Sequence, residues 1–214
     1  MWFLIALLLA TPAVVRERDK QLFNGQNLDG WKFVGRSGPA DQNGFVVEDH
    51  ILHTQPGKGM LWYTREPIGN ATLRVVYKMS DKKGNSGVFI RIPVKPETEN
   101  DGIHKGIEVQ IDDNDDDWHC TGVLYSMTQA KARPSKPAGE WNTMEITLDG
   151  LRTIVTVNGV LVTDYDGVSP VPPKQKAYEP ERGPRPEMGY IALQLHDDTA
   201  IISFKEISVR RIVR

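Results

Sequence analysis

The sequence is poor in the groups that announce a chemistry. Of 214 residues only Cys120 is a cysteine. No intrachain disulfide can form, and one chain cannot build a zinc site from four cysteines or from two cysteines and two histidines. Such a lone thiol is most simply a buried, inert residue. Positive charge is not in excess: 26 Lys and Arg stand against 28 Asp and Glu, for a net charge of -2. Without a basic stretch the chain lacks the electrostatic footprint of a generic nucleic-acid binder. The five histidines form no H-E-x-x-H pair, and no serine sits in G-x-S-x-G. Gly84-Asn85-Ser86-Gly87 is too short and too strand-flanked to cradle a phosphate. Helical periodicity over 12 or more residues is missing as well. The one long apolar run, Trp2–Ala10, is too short to span a bilayer, which takes about 20 residues. Its length and position suit the apolar region of a signal peptide cleaved after Ala13, with no cysteine following for lipid attachment. A buried N-terminal strand or helix is the alternative. The expected organisation is a signal peptide over residues 1–13 and a single domain over 20–212. Such a protein would be secreted or periplasmic, without a stable membrane anchor.

What is present is alternation. Ile107, Val109 and Ile111 point one way along a strand and Glu108 and Gln110 the other, and Ile191, Leu193 and Leu195 alternate with Ala192, Gln194 and His196. Asp149-Gly150 and Asn158-Gly159 tolerate the positive φ of type I′ turns. They predict a three-strand meander from Met144 to Tyr165. Two further strand-like segments, GYIALQL and AIISFKEISVRRI, flank His196–Thr199. Many short strands without helices predict an all-β fold of two antiparallel sheets, at this length one jelly-roll sandwich. Residues Pro170–Pro186 hold six of the 14 prolines. They cannot form a central strand. Too few residues follow for a second domain, so a long surface loop rimming a binding site is expected.

The most informative segment is GIEVQIDDNDDDW, Gly106–Trp118. Glu108, Gln110 and Asp112 share a strand face while the isoleucines and valine fill the core. That polar row is either a cleft floor or a face turned to water. It does not contain the paired carboxylates of a glycosidase. Neighbours two apart lie about 6.6 Å from one another, but that neighbour of Glu108 is Gln110, and Asp112 is about 13 Å away. Asp112–Asp117 opens like a calcium loop, yet position six is Asp117 where glycine is needed and position twelve is Val123 where glutamate is needed. It is a candidate calcium site or a solvated acidic loop. His196, ending a strand beside Asp197 and Asp198, suits a general acid/base or a sugar hydrogen bond. Trp31, Trp62, Trp118 and Trp141 are either sugar-stacking platforms or core.

These segments together resemble the 3-keto-disaccharide hydrolase domain family over Leu22–Arg210. The resemblance is carried by LFNGQNLDGW (Leu22–Trp31), GNSGVFIR (Gly84–Arg91), GIEVQIDD (Gly106–Asp113), TGVLYSM (Thr121–Met127), GEWNTMEITLDG (Gly139–Gly150), VNGVLVTDY (Val157–Tyr165) and GYIALQLHDD with ISFKEISVR (Gly189–Arg210). It implies a concanavalin A-like jelly roll, export, and activity on 3-keto-glycosides. The chain departs from the family pattern where LHDD stands in place of a histidine followed by glycine. A C3 ketone makes the C2 proton acidic, so one base and one enolate stabiliser suffice. By residue type, Glu108 is then the base or a metal ligand and Tyr125 the proton donor to the leaving oxygen. Arg91, Gln110, Gln194 and His196 bind the sugar or stabilise the oxyanion, with His196 also an acid/base candidate. A divalent metal, calcium or another, held by Glu108 or Asp112, is an alternative electrophile. The expected partner is a carbohydrate. A non-catalytic carbohydrate-binding domain on the same sandwich is the competing reading.

Overall fold

A computed structural model of the chain describes residues 19–36, 44–196 and 199–212. The expected signal peptide and Asp197-Asp198 lie outside these. In chain order the elements are β1 (Lys20–Gln21), β2 (Trp31–Gly35), β3 (Phe45–Glu48), β4 (Ile51–Thr54), β5 (Gly59–Tyr63), β6 (Ala71–Met79) and β7 (Asn85–Ile92). There follow α1 (Glu99–Lys105), β8 (Ile107–Asp112), β9 (Asn142–Asp149), β10 (Arg152–Val157), β11 (Val160–Tyr165), β12 (Tyr190–Leu195) and β13 (Ile202–Arg211). All strand pairs are antiparallel. One sheet runs β11-β10-β9-β6-β13-β4-β3, with β1 also on β13; the other runs β2-β5-β12-β7-β8. This is the two-sheet antiparallel sandwich that the alternation predicts, of the concanavalin A-like kind that the resemblance implies.

The pleat explains why the sheets pack. Along β9 buried and partly exposed residues alternate through Met144, Ile146 and Leu148, which meet Leu73 and Val75 of β6 in one core. Val88, Ile90, Val109, Ile111, Leu193 and Leu195 enter the same core from the other sheet. Each such side chain stabilises the fold by about 1.5–3 kcal/mol. Cys120 is buried in this core as a free thiol, and burial pushes its pKa up.

The meander forms as expected, with one difference at its first turn. At the second, Asn158 (φ 51°) and Gly159 (φ 79°) both adopt the left-handed region, as a type I′ turn requires. At the first, Asp149 already pairs with Arg152. Gly150 and Leu151 form the corner, and only Gly150 has positive φ. The segments around His196–Thr199 do not pair with each other: β12 joins the five-stranded sheet and β13 the eight-stranded one. Among the described residues no helix is long and apolar enough to cross a membrane.

The five-stranded sheet has a second apolar patch on its outer face, where Val34, Met60, Trp62, Phe89, Ile92 and Ala192 meet Ile103 of α1. The helix is short and lies close to that face. A Cβ on Gly102 would come within 2.9 Å of Met60 Sδ and 3.0 Å of Phe89. Asp101 secures the N-terminal turn by accepting the backbone N–H groups of Glu97 and Thr98 at 2.9 and 3.1 Å. Seated there, α1 walls one side of the polar half of the same face.

Candidate functional site

Register builds the floor of the site. Gln110 of β8 pairs with Gly87 of β7, and Glu108 with Phe89. Leu193 of β12 pairs with Val88, so one further step sets Gln194 opposite Gly87. The row Gln194–Gly87–Gln110 thus spans three strands, with a glycine between two carboxamides. Gly87 must lack a side chain: a Cβ there would lie 2.8 Å from Glu108 Cγ and 3.0 Å from its Cδ. The Glu108 carboxylate occupies that space. The two glutamines are 2% and 4% exposed, and the side-chain Oε1 of each has no hydrogen-bond partner. A buried acceptor left unpaired costs about 1–3 kcal/mol, so these groups are matched to a ligand that brings donors.

Above this floor is a cleft of about 310 Å³. Glu108, Gln110, Tyr125, Gln194 and His196 all line it, together with Arg36 and Asn85. Asn100, Ile103 and His104 of α1 form one wall, and Tyr178 and Pro180 of the proline-rich segment form another.

Tyr125 reaches the cleft because β8 is an edge strand that the chain covers by doubling back. Thr121 N–H donates to Asp112 O, Gly122 N–H to Gln110 O and Tyr125 N–H to Glu108 O, each at 2.9 Å. The covering segment is clamped by His119, whose Nδ1 lies 2.7 Å from Asp116 Oδ1 and Nε2 3.0 Å from Glu179 Oε1. The His119 ring stacks edge-on against Tyr125, centroids 4.9 Å apart. Glu179 belongs to the proline-rich segment, so the same clamp fixes Tyr178 and Pro180 over the cleft.

Charge in the cleft is arranged around two carboxyls. Burial, reinforced by the nearby Glu99 carboxyl, pushes Glu108 up to about 8. Glu99 is fully buried and binds Arg36 Nε at 2.8 Å. Burial raises its pKa against the opposing pull of Arg36. Burial, and then the surrounding anions and Tyr178, hold the Tyr125 phenol well above its ordinary range. The cleft therefore offers a carboxyl poised near neutrality, a phenol that keeps its proton, one guanidinium and several amide groups. This is a set for moving a proton and hydrogen-bonding a polyol.

Arg91 is not in the cleft, and a bulge is the reason. Tyr190 pairs with Ile92 but Ala192 with Phe89, so β7 carries one extra residue there. Arg91 takes φ 57°, Ile92 takes the outer position, and the guanidinium turns between the sheets. Its Nη2 donates to Gly150 O at 2.9 Å and Arg152 O at 3.0 Å, and its Nη1 to Pro186 O at 3.0 Å. This arginine ties the two sheets and the proline-rich segment together.

Of the two metal candidates, Glu108 lines the cleft and Asp112 does not. Asp112 accepts the Asn114 N–H at 2.8 Å to shape the acidic loop, while Glu108 lies over Gly87. Among the described residues, Asp115, Asp116 and His119 do bring donor atoms within 4.8 Å of one another. However, His119 Nε2 already faces Glu179, and Asp115 has Lys176 as an ion-pair partner. No chemical step is assigned to that group. None of the four candidate tryptophans, Trp118 included, lines the cleft. Trp31 and Trp62 are buried, and Trp141 lies between Lys78 and Lys205. His53 bonds Ser203 and His50 bonds Gly25 O, both elsewhere.

Arg36, Asn85, Glu99, His104 and Tyr178 are the residues that sequence reasoning did not find. Only Tyr178 carried a signal, as the one aromatic in the proline-rich stretch.

The sequence matches the family model of the 3-keto-alpha-glucoside-1,2-lyase-like domain over residues 18–210. No curated protein matches it. Among solved structures, a candidate glycosyl hydrolase from Parabacteroides distasonis is 25% identical, with TM-score 0.73 over 92% of this chain and all of that one. A Bacillus subtilis protein of unknown function with a galectin-like fold is 14% identical, with TM-score 0.60 over 92% of this chain and 96% of the other. Carbohydrate-binding module CBM66 from the same organism is 14% identical, with TM-score 0.54 over 85% and 95%. The last two likenesses are of fold alone.

Proposed function

We propose, for a chain that belongs to the 3-keto-alpha-glucoside-1,2-lyase-like domain family, that this carbohydrate-acting domain cleaves 3-keto-glycosides by eliminating the aglycone across C1 and C2. The observation that carries this reading is Glu108, a carboxyl raised to about 8 in a cleft floored by two buried, unpaired carboxamide oxygens. Among the described residues Glu108 is the one carboxyl that lines the cleft, Glu99 being buried and paired with Arg36. A single carboxyl suits elimination, which needs one base, whereas hydrolysis of an ordinary glycoside uses two.

In this mechanism the ionised Glu108 removes the C2 proton made acidic by the C3 ketone. Arg36, in the role first expected of Arg91, and the amide N–H groups hold the enolate oxygen. The enolate electrons then form the C1–C2 double bond. The C1–O bond breaks with its electron pair going to the aglycone oxygen, and Tyr125 or His196 supplies the proton that completes the leaving alcohol. The products are a 2-hydroxy-3-keto-glycal and the free aglycone; addition of water across its C1–C2 double bond gives the free 3-keto sugar. Gln110 and Gln194 accept sugar hydroxyls through their unpaired oxygens. No step uses a metal. We further propose that the apolar N-terminal run acts as an export signal, so that this chemistry takes place outside the cytoplasm.

The test is incubation with a 3-keto-disaccharide, with and without chelator, following release of the aglycone sugar. Turnover is expected to survive chelation and to rise with pH along a limb near 8, because only the ionised Glu108 is a base. No release under any condition would leave a carbohydrate-binding module without catalysis. A second expectation concerns Gly87. Gly87→Ala drives a methyl into the Glu108 side chain and should lower kcat/KM about 100-fold by misplacing the base. The fold should lose only about 1–3 kcal/mol. Parallel steady-state kinetics and urea unfolding separate the two effects; unchanged kinetics would count against Glu108 as the base.

A further inference from the structure

The cleft is small for the substrate just proposed. About 310 Å³ is at the lower end of ligand pockets, enough to enclose one pyranose ring but not two. The second ring of a disaccharide must lie at the mouth. The mouth has a ready surface: Tyr178 lines the cleft yet is 69% exposed. The segment that carries it is held in place. The next residue, Glu179, is 3% exposed, held by His119 and by the Gln175 N–H at 2.9 Å. Arg182 donates to Pro172 O at 2.8 Å and to Ser126 O, and Arg185 donates to Gly106 O at 3.1 Å. An exposed aromatic ring on a clamped backbone loses little conformational entropy when a ligand covers it. Lys176 stands 5.8 Å from the ring centroid, on the same segment. Tyr178 and Tyr125 line the same cleft, so the platform shares that cleft with one of the two groups proposed to protonate the leaving oxygen.

We infer that Tyr178 is the platform of a leaving-group subsite: the departing sugar ring stacks on it while the 3-keto ring is held over Glu108. The proline-rich segment thus selects glycosides whose aglycone is itself a ring. This inference rests on the elimination reading.

The experiment compares a 3-keto-disaccharide with methyl 3-keto-α-glucoside, whose aglycone has no ring to stack. Tyr178→Ala should raise KM for the disaccharide roughly tenfold, the scale of one lost ring contact, with kcat changing much less. The loss on the disaccharide should exceed that on the methyl glycoside about tenfold, and Tyr178→Trp should restore it. An equal loss on both substrates, or a loss in kcat alone, overturns the platform while leaving the elimination reading standing. If the wild type cleaves neither substrate, the elimination reading fails and the subsite falls with it. The exposure of Tyr178 keeps the variant folded, and an unchanged thermal midpoint checks this.

Discussion

Replacing Glu108 with glutamine is expected to reduce turnover of a 3-keto-glycoside at least about 10³-fold and, at alkaline pH, to make the protein more stable. The two effects have one cause. The folded protein holds the Glu108 proton up to about pH 8, whereas the ordinary value is 4.5. Between those values the folded state binds a proton that the unfolded chain has released, so wild-type stability falls as pH rises from about 4.5 to about 8. Above 8 a half-buried carboxylate must be carried as an anion next to Glu99. Glutamine has nearly the same shape and no charge to desolvate. Urea unfolding should therefore find the two proteins alike near pH 5. Near pH 9 the variant should be more stable by at least about 1 kcal/mol. Parallel stability profiles would show that Glu108 ionises as freely as a surface carboxylate, and undiminished turnover would remove it from the mechanism.

The opposite pattern is expected of Arg91→Met. The guanidinium satisfies three backbone carbonyls, two in the β9–β10 corner and one at Pro186. Methionine fills much of the volume and satisfies none. Each abandoned carbonyl costs about 1–3 kcal/mol, part of it recovered by water at the Pro186 end, so a loss of about 4 kcal/mol is expected. For a domain of this size that lowers the thermal midpoint by roughly 10 °C. Arg91→Lys should recover little, because an ammonium cannot fork between carbonyls as a planar guanidinium does. Since Arg91 does not line the cleft, kcat/KM of the folded fraction at low temperature should stay within a few-fold. A stable Arg91→Met protein with weakened substrate binding would mean that this side chain faces the sugar after all.

The contrast between these residues shows where sequence reasoning succeeds and where it stops. Glu108, Gln110 and Gln194 were legible because a strand has a period of two: once Ile107, Val109 and Ile111 are assigned to the core, the faces of their neighbours follow. Tyr125 and His196 were legible from residue type and from the segments they sit in. Arg91 was assigned to the sugar by residue type, and alternation would not have corrected it. Strict alternation puts it on the face of Phe89, and one extra residue in β7 reverses it. Nothing local in GVFIRI marks that bulge, which exists only relative to the register of β12. Arg36, Glu99 and Tyr178 were out of reach for a related reason. They come from the end of β2, from a seven-residue helix and from a proline-rich loop, and only packing across the sheet brings them to Glu108.

By itself, then, the sequence determined the sandwich, through alternation and turn residues, and determined which face of β8 is polar. Both are local properties, written in neighbours two residues apart or in a two-residue turn. Tertiary structure alone decided that the polar face is a cleft and not a solvated edge, that Glu108 lies in the space Gly87 leaves open, and that Arg36 rather than Arg91 is the guanidinium lining the same cleft. Those outcomes depend on desolvation and on contacts between strands, helix and loop far apart in the chain. A single inserted residue in one register can redirect a charge from the site to the core.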